Sequence, residues 1–316
     1  MNADLGNAIL LAGPTAVGKS AVALALAEKL GGEIVSVDSM QVYRGLDLGT
    51  AKPTAAERAR VPHHLLDVVS VTEPFTAADF VRLATAAVAD IRRRGRLPVF
   101  CGGTGLYFKA LLAGLGTAPA ADPPLRAELE RTPLPELLAE LAERDPVAFA
   151  NIDRQNPRRV VRAVEIVRLT GKPASAQRAS WSAVLGENPR SMPATVIALG
   201  RAPADLHARI DARVDAMFAS GLLAETRALL AAGLAGNRTA LQAIGYRQVV
   251  EHLRGERDLS ATITLVKQKT RQFTKRQMTW LRHQLPVRWL EVAPGEPPAT
   301  TAQCVLDLRR RIEAEH

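Results

Sequence analysis

The chain has 316 residues, 47% of them hydrophobic, enough to bury a substantial core in one large domain or in a core carrying an insert. Lys and Arg number 41 against 32 Asp and Glu, a net charge of +9 that suits a polyanionic partner. Cys101 and Cys304, the only two cysteines, stand too far apart in sequence for a disulfide framework or a four-ligand zinc site, so no zinc is expected. The N-terminus carries Asp4 and no basic segment, and its apolar run is too short for a signal peptide or a membrane span, so the expectation is a cytoplasmic protein without a membrane partner.

Residues 8–12 are a short apolar run, as expected of a buried parallel strand, and residues 21–30 are rich in Ala and Leu, as expected of a helix. Between them Gly13-Pro14-Thr15-Ala16-Val17-Gly18-Lys19-Ser20 matches G-x-x-x-x-G-K-[ST], the phosphate-cradling loop. Its glycines let backbone N–H groups turn inward, the helix start adds partial positive charge, and Lys19 adds a full one. Ser20 is placed to ligate Mg²⁺. The loop alone does not say whose phosphate it holds.

Residues 33–38 form a second β-branched run ending on Asp38, and ligands of parallel α/β sheets sit beyond the carboxyl ends of strands. Asp38 could hold Mg²⁺ through water, act as a general base, or cap the segment that starts at Ser39. Residues 39–53 are polar and Gly-rich, a natural substrate loop. His63 and His64 follow Pro62 without further nearby ligands, which favours ordinary hydrogen bonding over metal binding. Residues 75–94 read as a helix starting at Thr76 or Asp79, with a basic end. Residues 97–101 read as a third strand, opening into Gly102-Gly103-Thr104-Gly105-Leu106-Tyr107, where Thr104 could donate its hydroxyl to a phosphate or leaving group.

From residue 114 to 135 prolines cluster, as at a domain boundary. Helical patterns over 134–144 and 157–170 follow, with no strand pattern from 120 to 188, so 119–189 is expected to be a small all-helical insertion domain. Its basic line is Arg154, Arg158, Arg159 and Arg162, either solvated surface or a phosphate-backbone contact. Residues 194–200 return to strand character, so 1–118 and 190–316 form the α/β core. Residues 206–230 read as one helix, with Arg209 and Arg213 on one face, able to reach a pyrophosphate or to pair with acids such as Asp205. Gln242-Ala243-Ile244-Gly245-Tyr246-Arg247 is a loop with an aromatic and a cation, suited to a base or phosphate. Residues 260–290 contain no Asp or Glu. As a helix they place Lys267, Arg271, Lys275 and Arg282 on one face and Val266, Phe273 and Trp280 on another, the first offered to a nucleic acid and the second to the core. A last strand over 286–292 and a helix over 306–315 complete the chain.

These strings, in this order, resemble the bacterial tRNA dimethylallyltransferases, also called tRNA isopentenyltransferases: GPTAVGKS at 13–20, DSMQVYRGLDLGTAKP at 38–53, PHHLLD at 62–67, GGTGLY at 102–107, QNPRRVVRAVEI at 155–166, AIGYR at 243–247 and KRQMTWLR at 275–282. The resemblance implies a parallel sheet of the phosphate-loop NTPase type with helices on both faces, acting as a monomer on the anticodon stem-loop of tRNA. It implies transfer of a dimethylallyl group from dimethylallyl diphosphate to N6 of the adenosine at position 37, with Mg²⁺. It also implies roles: Asp38, Thr104 and Lys19 catalytic, Asp38 as the base; residues 13–20 with Arg209 and Arg213 on the diphosphate. Ser39, Met40 and Gln41 would hold the target base. Thr104, Arg126, Arg158, Arg159, Arg162, residues 242–247, and Lys275, Arg276, Gln277, Met278, Thr279, Trp280, Leu281 and Arg282 would contact tRNA. A phosphate-loop small-molecule or nucleotide kinase is the alternative; it explains residues 13–20 and Asp38 but not the acid-free basic segment.

Overall fold

The computed structural model describes residues 5–177 and 195–314. In chain order the first part runs β1 (Ile9–Ala12), α1 (Lys19–Leu30), β2 (Gly32–Val37), α2 (Ala55–Arg60), β3 (His63–His64), α3 (Ala77–Arg93), β4 (Leu97–Gly102) and α4 (Gly105–Ala113). Five helices follow: α5 (Pro123–Leu129), α6 (Leu134–Arg144), α7 (Pro146–Asn151), α8 (Pro157–Thr170) and α9 (Ala174–Gln177). The chain then makes β5 (Val196–Gly200), α10 (Pro203–Ala219), α11 (Leu222–Ala231), α12 (Tyr246–Leu253), α13 (Leu259–Gln284), β6 (Val287–Glu291) and α14 (Pro298–Ala314).

The six strands pair in parallel in the order β3-β2-β4-β1-β5-β6. Every residue of β1, β2 and β5 is buried, which is why these segments read as continuous apolar runs rather than as alternation. On one face Ile9, Leu11, Ile34, Val99, Ile197 and Leu199 pack with Leu24 and Leu26 of α1 and with Ala302 and Val305 of α14. The fold is an α/β sheet of the phosphate-loop type. Compact units divide at Met1–Leu112 with Leu185–His316 and at Ala113–Val184. The second is wholly helical among its described residues, with its own core of Leu137, Leu141, Val160, Val164 and Val167. The boundary expected at 189 and 190 lies outside the described residues, as do Asp4, Ala194 and Glu315.

The helix over 75–94 is found as α3, where the Thr76 hydroxyl accepts from the Asp79 N–H and the Asp79 carboxylate accepts from the Thr76 N–H. Three sequence expectations are corrected. Residues 206–230 are two helices, broken where Gly221 takes φ 102°, a left-handed conformation that costs glycine nothing. The last helix starts at Pro298, not at 306. In α13 the buried stripe is Thr262, Val266, Thr270, Thr274, Gln277 and Leu281, a spacing of three and four residues, while Phe273 is 37% exposed with Arg276 stacked 5.8 Å from its ring. The seven-residue spacing holds for Val266, which is buried, and for Trp280, which packs on Gly105, but fails at Phe273, because the stripe between them is made largely of threonine.

Candidate active site

Sheet register sets the geometry. Ala12 of β1 and Val37 of β2 both pair with Gly102 of β4, the strand between them. Gly13, Asp38 and Gly103 therefore leave three adjacent strands at one level, at the carboxyl ends where ligands of such sheets bind. A cleft opens there, lined by Thr15, Lys19, Ser20, Asp38, Gln41, Thr50, Cys101, Gly102 and Arg213 among others.

The phosphate loop holds Ala16 at φ 67° and Gly18 at φ 102°, Gly18 standing just before α1. The left-handed turn at Gly18 aims the free N–H groups of the helix start at the cleft. Lys19 Nζ donates to the Pro14 carbonyl at 3.2 Å. Burial holds the Lys19 ammonium below its ordinary pKa, with Arg213 pushing the same way and the Asp38 carboxylate opposing. Burial likewise lowers Arg213, against the pull of Asp38. Two desolvated cations beside one carboxylate make a site short of negative charge, which a polyphosphate would supply. Burial pushes the Cys101 thiol up to about 11, so it stays protonated.

Asp38 Oδ1 accepts from the N–H groups of Met40, at 2.8 Å, and Gln41, at 3.3 Å. No helix starts at Ser39, so Asp38 is not the helix cap that its position allowed; one oxygen instead closes a turn over Met40 and Gln41, and Oδ2 has no hydrogen bond among the described residues. The Ser39 N–H donates to Thr104 Oγ1 at 3.1 Å, and the Thr104 N–H to the Val37 carbonyl at 3.2 Å. With an acceptor position filled, the Thr104 hydroxyl can give its proton to a ligand beside Asp38. The loop over the cleft is pinned at Lys52, 8% exposed, whose ammonium bonds the Tyr43 carbonyl at 2.6 Å, Asp47 at 2.6 Å and Asp67 at 2.5 Å. For Mg²⁺ the chain offers oxygen donors in Ser20 and Asp38, and no cluster of three or more His, Cys, Asp or Glu among the described residues. That fits a small cation taking one or two protein oxygens and the rest from phosphate and water.

The sequence pattern of the IPP transferases matches residues 41–284. The chain belongs to that family. It is 50% identical over 309 residues to a tRNA dimethylallyltransferase of Anaeromyxobacter dehalogenans, covering 96% of this chain and 98% of that one. It is 47% identical over 287 residues to tRNA dimethylallyltransferase 1 of Citrifermentans bemidjiense, covering 91% and 92%. The crystal structure of the full-length tRNA isopentenylpyrophosphate transferase of Bacillus halodurans aligns with TM-score 0.69 and 37% identity over 98% of this chain and all of that one. A eukaryotic dimethylallyltransferase solved acting on tRNA aligns with TM-score 0.80 and 26% identity, covering 98% of this chain and 80% of that one.

Against this family background, several residues expected at tRNA are committed inside the protein. Tyr246 is fully buried; its hydroxyl accepts from the Gly49 N–H at 3.0 Å and donates to Glu225. Ala243 and Gly245 are buried beside it and Ile244 packs on the core, so only Gln242 and Arg247 of that loop are exposed. Leu281 is buried. Gln277 is 8% exposed, its Oε1 accepting from the Thr15 N–H at 2.9 Å and its Nε2 donating to the Gly103 carbonyl at 3.0 Å. Gln41 is engaged at both ends of its amide, with the Ser36 hydroxyl and with the carbonyls of Thr50 and Ala51. In the helical unit Arg126 and Arg162 both bind Glu165, which is fully buried, and Arg162 also donates to the Pro119 carbonyl at 2.5 Å. A buried carboxylate needs those cations.

Ser39 and Met40 are half-buried; Arg158 and Arg159 are exposed. On α13, Lys275, Arg276, Thr279 and Arg282 are exposed while Met278 and Trp280 are half-buried. The expected cationic face is divided, because Lys267 pairs with Asp215 at 2.7 Å and Arg271 with Asp211 of α10. Arg213 lines the cleft; Arg209 instead donates to the Ala16 carbonyl at 2.8 Å. Asp205 pairs with Arg201, at 2.8 Å, and not with Arg209. Sequence reasoning missed Arg201: it is buried, braces the loop by donating to the Val17 carbonyl at 2.7 Å, and its one signal was its place just past a strand end. His63 and His64 are ordinary hydrogen-bonding residues as expected, the first bonded to the Val61 carbonyl and the second to Glu33.

Proposed function

We propose that this chain transfers a dimethylallyl group from dimethylallyl diphosphate to the exocyclic N6 of the tRNA adenosine at position 37, next to the anticodon, releasing diphosphate. The observation that carries it is the common level at which the phosphate loop, Asp38 and Thr104 leave β1, β2 and β4. The kinase alternative gives no role to the exposed cations of α13, and the relatives that cover nearly the whole chain are named for tRNA prenylation.

In this reading the diphosphate lies on the N–H groups of Gly18, Lys19 and Ser20 at the start of α1, the Thr15 N–H being taken by Gln277, with the Lys19 and Arg213 side chains opposite its charge. The adenine N6 lone pair forms the new C–N bond to the allylic carbon while the C–O bond to the diphosphate breaks and its electron pair goes to the leaving oxygen. The N6 proton goes to Asp38. An exocyclic adenine amine is a weak nucleophile because its lone pair is delocalised into the ring, so a carboxylate held in place by the Met40 and Gln41 N–H groups matters. Thr104, held by the Ser39 N–H, donates toward the leaving oxygen. Mg²⁺ held by Ser20 and diphosphate oxygens would add positive charge on the leaving group.

A base in a folded anticodon loop has to turn out of its stack to reach Asp38, at a cost of about a few kcal/mol. Ser39 and Met40 flank Asp38 and would hold the everted base. The helical unit, through Arg158 and Arg159, and α13, through Lys275, Arg276 and Arg282, would grip the RNA backbone. The protein acts as a monomer in the cytoplasm and needs no zinc. Incubation with Mg²⁺, labelled dimethylallyl diphosphate and either unmodified tRNA, AMP or no acceptor tests the reading. Label in tRNA alone is expected; a protein that leaves tRNA unlabelled but moves phosphate from ATP to a small acceptor would be a kinase.

A further inference from the structure

Gln277 sits on α13, the helix that carries the exposed cations Lys275, Arg276 and Arg282, yet its own side chain points inward. It spans the gap between the two glycine-containing turns of the site. Its Oε1 takes the Thr15 N–H of the phosphate loop and its Nε2 gives a proton to the Gly103 carbonyl, one residue before Thr104. Only one orientation of the amide satisfies both partners, since a flip would face donor to donor and acceptor to acceptor. The fit is tight: a Cβ at position 103 would lie 2.4 Å from Gln277 Nε2, so only glycine admits the amide there. One turn further along α13, Trp280 packs where a Cβ at Gly105 would lie 2.0 Å from its ring. Gln284 accepts from Lys109 Nζ at 2.9 Å. The helix is therefore seated on the Gly103–Lys109 stretch at three successive turns, and reaches the phosphate loop through Gln277.

We propose that Gln277 is a positioning residue for the transfer reaction, fixing the phosphate loop against the turn that carries Thr104. This rests on the reading of the cleft as a prenyl diphosphate site. By occupying the Thr15 N–H, Gln277 decides which loop donors remain for the diphosphate; by fixing the Gly103 peptide, it sets where the Thr104 hydroxyl stands. It acts on the donor from a helix whose outer face meets the RNA, and touches neither substrate.

The test compares Gln277→Met, which keeps the length and removes both hydrogen bonds, with Lys275→Ala on the outer face of the same helix. Wild-type enzyme must first prenylate tRNA; if it does not, the function reading fails and not this one. Given that activity, Gln277→Met is expected to raise the KM for dimethylallyl diphosphate, and to weaken inorganic pyrophosphate with Mg²⁺, by on the order of tenfold, as for two lost hydrogen bonds. Its tRNA affinity should stay within about twofold, the scatter of a residue without direct contact. Lys275→Ala should do the reverse. A Gln277→Met enzyme that loses tRNA affinity with pyrophosphate binding intact would make Gln277 an RNA contact, and equal loss of both would make it merely structural; either overturns the proposal. Should the variant not fold, amide exchange on the wild-type chain decides: a Thr15 N–H as unprotected as that of an open loop would refute the strap.

Discussion

Asp38 does two jobs with two oxygens. One caps the turn at Met40 and Gln41, and the other is left for chemistry. That division gives a clean test. Asparagine keeps the capping oxygen and loses only the basic one, whereas alanine loses both. Asp38→Asn is expected to cut the transfer rate by about 10²–10⁴, the range for a positioned base, with melting temperature and tRNA affinity near wild type. Asp38→Ala should lose comparable rate and also stability, by about 1–2 kcal/mol for the two lost hydrogen bonds of the turn. An Asp38→Asn enzyme of normal rate would leave Asp38 a cap and nothing more. This pairing was half legible in sequence. A carboxylate just past a β-branched run announces a residue at the strand end, but cap and base are both satisfied by the same position. Only the bonds to Oδ1 show that the cap takes one oxygen.

Among elements, what the sequence spelled out was what local chemistry decides. The Thr76–Asp79 box that opens α3 and the strand-to-loop spelling of residues 8–20 depend on neighbours in the chain. What it hid depends on partners far away. Tyr246 looks like a base-stacking aromatic until Gly49 and Glu225 claim its hydroxyl, and Gln277 looks like part of a basic surface until Thr15 and Gly103 claim its amide. The buried threonines of α13 escape any hydrophobic count.

Another long-range device joins elements at the edge of the sheet. Glu33 of β2, 5% exposed, bonds Arg94 just after α3 and His64 of β3. Burial alone would raise its pKa, but the hydrogen bonds and charges of Arg94 and His64 outweigh it, and the net shift is downward from 4.5. A carboxyl depressed in the folded state gives stability that is complete above its unfolded pKa and lost as pH falls through the folded one. The melting temperature of the wild type should therefore fall as pH drops from about 5 toward 3, and Glu33→Gln, less stable at neutral pH, should fall less steeply there. Parallel curves for the two proteins would place the acid sensitivity elsewhere.

For the whole molecule, a net charge of +9 says less than where the charge is left uncompensated. Were six cations to touch phosphates on single-stranded RNA, log K would fall against log salt with a slope of roughly −4. The structure removes several of the candidates. Arg126 and Arg162 neutralise Glu165, Lys267 is matched by Asp215 and Arg271 by Asp211. A cation already paired releases no counterion when RNA arrives, because its charge is spent on its partner. The exposed residues proposed to grip the backbone are Lys275, Arg276 and Arg282 on α13 and Arg158 and Arg159 in the helical unit, and five contacts on single-stranded RNA give a slope of roughly −3.5, at roughly −0.7 per contact. Titrating an unmodified anticodon stem-loop at several salt concentrations measures it. The triple variant Lys275→Ala, Arg276→Ala, Arg282→Ala should flatten the slope by about 2 and weaken binding most at low salt. Lys267→Ala should leave the slope as it was, since it removes a charge that Asp215 had already cancelled. If instead Lys267→Ala flattened the slope as much as Lys275→Ala, the pair with Asp215 would open on binding, and the RNA-facing surface of α13 would extend from Lys275 back to Lys267.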